Sequence, residues 1–536
     1  MDRVVIVGSG ASGVHFALSL LQKGYDVVML DVGRAGPEAI NGKDTFIDLK
    51  ANLKDPVEYF LGENLEGVIY PDFKAEYYGV PPNKSYVFSD VDGFTVKASG
   101  FSPLSSFAQG GLAEAWTGGT YPFNDDDLVK FPFRYKDIEP YYNEVARRIG
   151  IAGVRDDLSR FMPVHENLSA PLKLDEHSTL LLSEYMRHKA FLNSKLRCYV
   201  GRSRVAALTQ DQDGREKCSY LGRCLWGCPS KAFYTPSLTL ERCKSFDNFR
   251  YVSGMLVSHF NVDSKRRVRS IAARSVTKKS WEEIPVDKIV LAGGTLSSSK
   301  IFLTSILKET GENVKLRGLM DNRQILVPFV NLKMVGRAYD PGTYQYHQVA
   351  MGFEGDQPHE YIHALITTLK TALVHPIIQN MPLDLQSSTY LFRHFRAALG
   401  LVNVNFPDTR RENNWVALDA TKEASTPTLL VSYSPVEREG TSITKAVKRV
   451  KQALWKLKCV VPPRMAHVRP MGASVHYAGT IPMSAKKSPL TTSECCQSHD
   501  FDNLYIVDGT TFPFLPAKNI TFTLMANAVR VAETAF

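Results

Sequence analysis

Apolar positions along the chain change period several times, and each change predicts an element. Val4 to Val7 is a short apolar run suited to a strand buried on both faces. Phe16, Leu18, Leu20 and Leu21 then recur at helical spacing, and Val27 to Leu30 returns to a strand. Near the far end, Leu504 to Val507 reads as another strand, followed by a proline-rich loop and a terminal helix. Between 306 and 469 the pattern differs. "QILVPFVNLKMVG" and "TPTLLVSYSP" alternate as strands do, and "TSITKAVKRVKQALWKL" has helical spacing, which predicts a sheet backed by helices. The stretch 363–402 carries apolar residues at helical spacing, interrupted by Pro376 and Pro382 and edged by Arg393 and Arg396. It predicts a helical pair packed over that sheet, with peripheral contact to a membrane or admission of an apolar substrate as the other readings.

Composition narrows the class. With 536 residues the chain exceeds what one simple core holds, so two or more domains are expected. It is 44% hydrophobic and 22% charged, as soluble globular proteins are, and lacks an apolar run of about 18 residues that would span a bilayer. The N-terminus passes directly into an apolar strand, and eight cysteines without a regular framework suit a reducing compartment. A cytoplasmic location is the expectation. The net charge of +9 arises from 64 basic against 55 acidic residues, with clusters such as "SKRRVR" and "KAVKRVKQ". These accompany no recognisable nucleic-acid module, so no nucleic-acid partner is expected.

The first strand–helix–strand unit carries Gly8-Ser9-Gly10-Ala11-Ser12-Gly13 at its turn. Gly8 permits the tight turn, Gly10 lets a pyrophosphate approach the backbone, and Gly13 lets the helix pack on the sheet. Free N–H groups at the helix start, Ser12 among them, face the phosphates. Asp31, ending the second strand, can accept a hydrogen bond from an adenosine ribose hydroxyl. Asp508-Gly509, at a strand end before a proline-rich loop and the terminal helix, suits a second anchor for a long cofactor, and Thr521 is counted with the residues that bind it. The expected fold is therefore α/β, with a Rossmann-like cofactor domain and a second, substrate domain on an antiparallel sheet backed by helices.

Four stretches in order, "VGSGASG", "SSFAQGGLAEAWTGGTYPF" (105–123), "IVLAGGTLSSSKIFLTS" (289–305) and the run from "VHYAGTIPM" to the end, resemble the glucose–methanol–choline (GMC) family of FAD oxidoreductases. The resemblance implies that Gly110, Gly111, Trp116 and Gly118 belong to a loop passing over the flavin and pyrophosphate. It places Gly293 where backbone approaches the cofactor and Val257 beside adenine. It implies FAD held non-covalently, since no histidine stands near "AEAWTGG". It also implies a cofactor domain assembled from 1–50, 90–160, 195–305 and 470–536, and a substrate domain at 306–469. The segments 51–89 and 161–194 would be insertions or lids.

The family's catalytic pair matches His476 in "GASVHYAGTIPM" and Asn519 in "LPAKNITFTLMA". The implied reaction oxidises an alcohol to a carbonyl: His476 takes the hydroxyl proton, hydride passes to flavin N5, and Asn519 orients the oxygen. A polyol, sugar or glycoside hydroxyl is the favoured small-molecule substrate, with O2 or another acceptor completing turnover. A sterol-like or long-chain alcohol, and a non-redox lyase on the same scaffold, are the alternatives. Nothing in the spacing of His347 and His363 sets them apart from structural histidines.

Cys218, Cys224 and Cys228, followed by Pro229, reproduce the ferredoxin spacing with Leu221 at the second ligand position. Leucine cannot ligate a metal. A structural or pocket-lining loop is the expected reading, with no metal bound and a cluster on these three cysteines as the alternative.

Overall fold

The computed structural model describes residues 3–40, 42–69, 80–338, 340–369, 378, 381–419, 426–437 and 439–536. Two sheets dominate the described residues. The first is parallel and five-stranded, in the order Leu504–Ile506, Lys288–Leu291, Arg3–Val7, Asp26–Leu30, Phe249–Val252. Its strands come from both ends and the middle of the chain, and the inner ones are short runs that are stable only when both faces are covered. Val4, Ile6, Val27, Met29 and Val290 pack on one side with the Ala11–Gln22 and Thr521–Ala535 helices; Val5, Leu30, Ile289 and Leu291 pack on the other, with the Thr295–Thr310 helix. A three-stranded antiparallel sheet, Trp281–Pro285, Val268–Ser275 and Met255–Val262, lies on that second side.

The other large sheet has seven strands and is antiparallel throughout. Its main path runs Cys459–Val460, Gln324–Asn331, Leu399–Asn405, Ile362–Thr368, Val349–Phe353, Cys198–Arg202, and His467–Val468 pairs with Gln324–Asn331. Alternation decides its two faces. Ile325, Val327, Phe329, Ala364, Ile366, Val402 and Val404 pack with Leu181, Tyr185 and Leu192 of the Glu176–Lys195 helix. On the same side lie Val450, Ala453 and Leu454 of the Glu439–Lys456 helix. Gln324, Leu365 and Asn403 face the opposite way, into a cavity.

Two features depart from the pattern read in the sequence. Residues 362–368 form a strand rather than the start of a helical pair, and 399–405 form the neighbouring strand. Both faces of this inner strand are covered, so its residues are buried at nearly every position, and period alone does not separate such a strand from a buried helix. The helix in this stretch is Leu385–Phe395; residues 370–377, with Pro376, and 379–380 lie outside the described residues. Cys198–Arg202, counted by sequence with the cofactor segment 195–305, forms an edge of the seven-stranded sheet. Among the described residues no helix is long and apolar enough to cross a membrane.

Candidate functional site

A cavity of about 340 Å³ opens between the parallel sheet and the bare face of the seven-stranded sheet. Three helices begin on its wall: Ala11–Gln22, Thr295–Thr310 and Thr521–Ala535. None has an acidic residue in its first turn; the Asp508 carboxylate already sits at the start of Thr295–Thr310, whereas the first N–H groups of Ala11–Gln22 and Thr521–Ala535 are left for an anion. A methyl group placed on Gly10 would meet only the Ala292 carbonyl oxygen, at 4.0 Å, and would otherwise fill cavity space. A methyl on Gly13 would lie 2.2 Å from the Gly8 carbonyl oxygen, so here glycine is demanded by helix–strand packing.

Asp31 sits at the end of its strand, at the cavity wall. It accepts hydrogen bonds from the Ser9 hydroxyl and, at 3.3 Å, from Tyr251 OH. Burial pushes its carboxyl up to about 6, against the lowering effect of those donors. Ser9 also accepts from Gly110 N at 3.0 Å, tying the glycine loop at 8–13 to the loop at 105–119. At the other end, Asp508 accepts from Gly294 N at 2.9 Å, Ser298 Oγ at 2.5 Å and Thr510 N at 3.0 Å. This carboxylate pins the start of the Thr295–Thr310 helix to the strand end at Ile506.

Of the residues singled out by sequence, Gly8, Gly10, Ser12, Asp31, Gly110, Gly111, Trp116, Val257, Gly293, His476, Asp508, Gly509, Asn519 and Thr521 all line this cavity. Gly13 and Gly118 are not among its lining residues. Gly118 has φ +71° and packs against Phe233, whose ring a Cβ would meet at 2.6 Å. Trp116 lines the cavity and also donates its indole N–H to Tyr234 O at 2.8 Å.

His476 is held by groups that its own sequence neighbourhood does not contain. Asn322 donates both amide hydrogens to carbonyls, Phe406 O at 2.7 Å and Pro516 O at 2.9 Å. Its oxygen therefore faces His476 Nδ1, 2.9 Å away, and only a protonated Nδ1 can donate to it. The remaining ring nitrogen, Nε2, is left with its lone pair, 3.5 Å from Asn519 Nδ2. Burial, then the charge of Arg469, hold the imidazole down at about 4, so it is neutral at physiological pH. Asn519 Oδ1 is buried without a hydrogen-bond partner.

The backbone around His476 is braced as firmly. Buried Asp321 accepts from Gly472 N at 2.6 Å and from the Ser474 hydroxyl, whose oxygen in turn accepts from His476 N at 3.1 Å. Between them Val475 has φ +56°, a region a β-branched residue rarely enters. Such a conformation costs about 1–3 kcal/mol and persists where its surroundings over-determine it, as the Asp321 clamp does here. Asn322, Asp321, Arg469 and Gln324 carried no sequence signal: each reaches the site through tertiary contact, Asn322 from 154 positions away.

Known proteins resemble the chain in fold and, at low identity, in sequence. Residues 410–528 match the family model described as GMC oxidoreductase. Paromamine 6'-oxidase of Streptomyces fradiae is 22% identical, covering 99% of this chain and 90% of that protein. Over residues 410–528 the chain is similar to the GMC oxidoreductases. FAD is the cofactor this likeness implies. The cavity fits it: the Asp31 carboxylate at a strand end, small residues along the wall and helix starts free of acidic side chains suit an adenine dinucleotide. The 2-methyl-1,2-propanediol dehydrogenase of Mycolicibacterium austroafricanum is 21% identical over 99% of this chain and 94% of its own. Among solved structures, pyridoxine 4-oxidase from Mesorbium loti superposes with a TM-score of 0.60 at 15% identity, over 99% of both chains. A formate oxidase of Aspergillus oryzae reaches 0.62 at 12% identity, over 99% of this chain and 98% of its own. These two likenesses show the fold.

The cysteine loop stands apart from the cavity chemistry. Cys218, Cys224 and Cys228 are free thiols packed against Phe233, Tyr344 and Tyr346. Burial raises the Cys224 thiol and pushes Cys218 up to about 11, which keeps both protonated at neutral pH. Among the described residues no group of three His, Cys, Asp or Glu side chains is arranged to hold a metal ion.

Proposed function

We propose that this chain oxidises a hydroxyl of a small-molecule alcohol to a carbonyl, with His476 as the base. The observation that carries the reading is the hydrogen bond of His476 Nδ1 to the Asn322 oxygen, which leaves Nε2 as an acceptor, 3.5 Å from the Asn519 amide nitrogen at the cavity wall. An alcohol C–H is a poor hydride donor until its O–H proton is leaving. His476 Nε2 takes that proton, and its positive charge is shared with the Asn322 oxygen through the Nδ1–H bond. Asn519 Nδ2 donates to the same substrate oxygen and fixes the carbinol carbon's orientation without competing for the proton. FAD, when bound, supplies the acceptor for the hydride that leaves the carbinol carbon. Gly10, Ser12, Asp31, Gly110, Asp508 and Thr521 are the residues we assign to holding it non-covalently. The named relatives, an oxidase of paromamine and a dehydrogenase of a propanediol, support a hydroxyl-rich substrate, with O2 or another acceptor reoxidising the flavin.

Anaerobic mixing of the FAD-loaded protein with a panel of alcohols and sugars tests the reading through the flavin's visible absorbance. Bleaching by at least one alcohol is expected; a panel that leaves the flavin oxidised throughout overturns it. The low pKa of His476 adds a signed expectation. The neutral ring is the base, so kcat/KM for flavin reduction stays level through neutral pH and falls as pH drops through about 4. A fall centred near an ordinary histidine's 6.5 would show that a different group takes the proton. Asn322→Leu removes the acceptor that fixes the tautomer. It should slow reduction at least about tenfold with flavin content unchanged, and parental rates in that variant would remove Asn322 from the mechanism.

A further inference from the structure

The cavity holds a second polar group that the proton-transfer pair does not use. Asn403 lies on the central strand Leu399–Asn405, opposite Leu326 on one side and Leu365 on the other, and faces the cavity. Its Oδ1 is buried and has no hydrogen-bond partner. Its polar neighbours on that sheet face are committed elsewhere. Gln324 accepts from Arg469 through Oε1 and donates to Asn405 Oδ1 through Nε2 at 2.8 Å. Asn405 Nδ2 donates to the carbonyls of Asn403, at 3.2 Å, and His363, at 3.4 Å. Neither amide can turn to Asn403 without breaking bonds of its own, and a buried acceptor left bare is costly. Asn403 as a whole is half-buried and lines the cavity, so a half-turn of its amide presents Oδ1 to a donor there.

We propose that Asn403 binds a second hydroxyl of the substrate, so that the enzyme acts on a polyol and reads two of its oxygens at once. This rests on the alcohol-oxidation reading above. A hydroxyl is favoured over an ammonium as the donor because the Arg469 guanidinium lines the same cavity and disfavours a cation. A simple alcohol of the same carbon skeleton leaves Asn403 Oδ1 bare, and that difference is the basis of discrimination.

The test pairs 1,2-propanediol with 1-propanol on the FAD-loaded protein, its Asn403→Leu variant and its Asn403→Asp variant. Flavin reduction should favour the diol by about ten- to hundredfold in kcat/KM in the parent. N403L should lose that preference through the diol alone, with propanol unchanged, and N403D, which retains an acceptor, should keep it. Equal preference in parent and N403L, or an equal loss on both substrates, overturns the proposal. A second readout is independent of turnover: the melting shift produced by the diol beyond that produced by propanol should be present in the parent and absent from N403L. If no alcohol bleaches the flavin but the diol-specific shift is present, the oxidation reading has failed and the hydroxyl site stands. If bleaching occurs and the shift is absent, Asn403 is solvated by water alone and the proposal falls.

Discussion

His476→Ala is expected to keep its FAD and to lose flavin reduction by alcohol by about 10²–10⁴-fold, the usual worth of a positioned general base. The two halves of that expectation have separate physical grounds. FAD is retained because the groups assigned to it, the glycine turn, Asp31 and the Asp508 bracket, hold their geometry through bonds that do not include the imidazole. Reduction is lost because the cavity offers no comparable base at the same place. Asn519 cannot take a proton, and Arg469 cannot give up its own. His363 is also neutral, pushed down chiefly by burial, but it does not line the cavity. Stopped-flow bleaching with a good substrate measures the effect, and the flavin-to-protein absorbance ratio checks retention. A variant that bleaches at the parental rate removes His476 from the reaction; one that arrives without flavin shows that the imidazole also supports the cofactor.

The cofactor half of the molecule was largely legible in the sequence, and the substrate half was not, for a physical reason. Gly8, Gly10, Gly13 and Asp31 belong to one contiguous strand–turn–helix–strand unit, where spacing alone fixes geometry. His476 and Asn519 were readable only through the family resemblance. Their partners are set by where the chain returns in space. Asn322 reaches His476 because the Gln324–Asn331 strand starts beside the segment ending at His476, with Arg469 N bonded to Gln324 O at 3.0 Å. The strand at 362–368 was misread as helix because its surroundings cover both its faces, which erases the period-two signal. Asn403 carries no signal in the sequence; what sets it apart is an oxygen without a partner, which no sequence displays.

Two glycines of the first turn separate packing from ligand contact, and substitutions there should divide accordingly. Gly13→Ala is expected to be the more destructive. Its methyl would sit 2.2 Å from Gly8 O, and that carbonyl cannot retreat. Gly8 N is bonded to Leu30 O at 2.9 Å, and any Cβ on Gly8 itself would meet Ala292 O at 2.7 Å, so the turn is wedged between two strands. The helix Ala11–Gln22 must move instead, away from the sheet and against the Thr521–Ala535 helix on its other flank. A shift of about 1 Å in groups that must converge on one ligand costs on the order of a hundredfold, so G13A should purify nearly free of flavin and melt well below the parent. Gly10→Ala has no such conflict: its φ of −64° suits alanine, and its methyl enters the cavity. The flavin-free G10A protein should melt with the flavin-free parent yet bind added FAD far more weakly. Parental flavin content in G10A would mean that the pyrophosphate does not lie against this turn, and the assignment of Gly10, Ser12 and Asp31 to the cofactor would have to be abandoned.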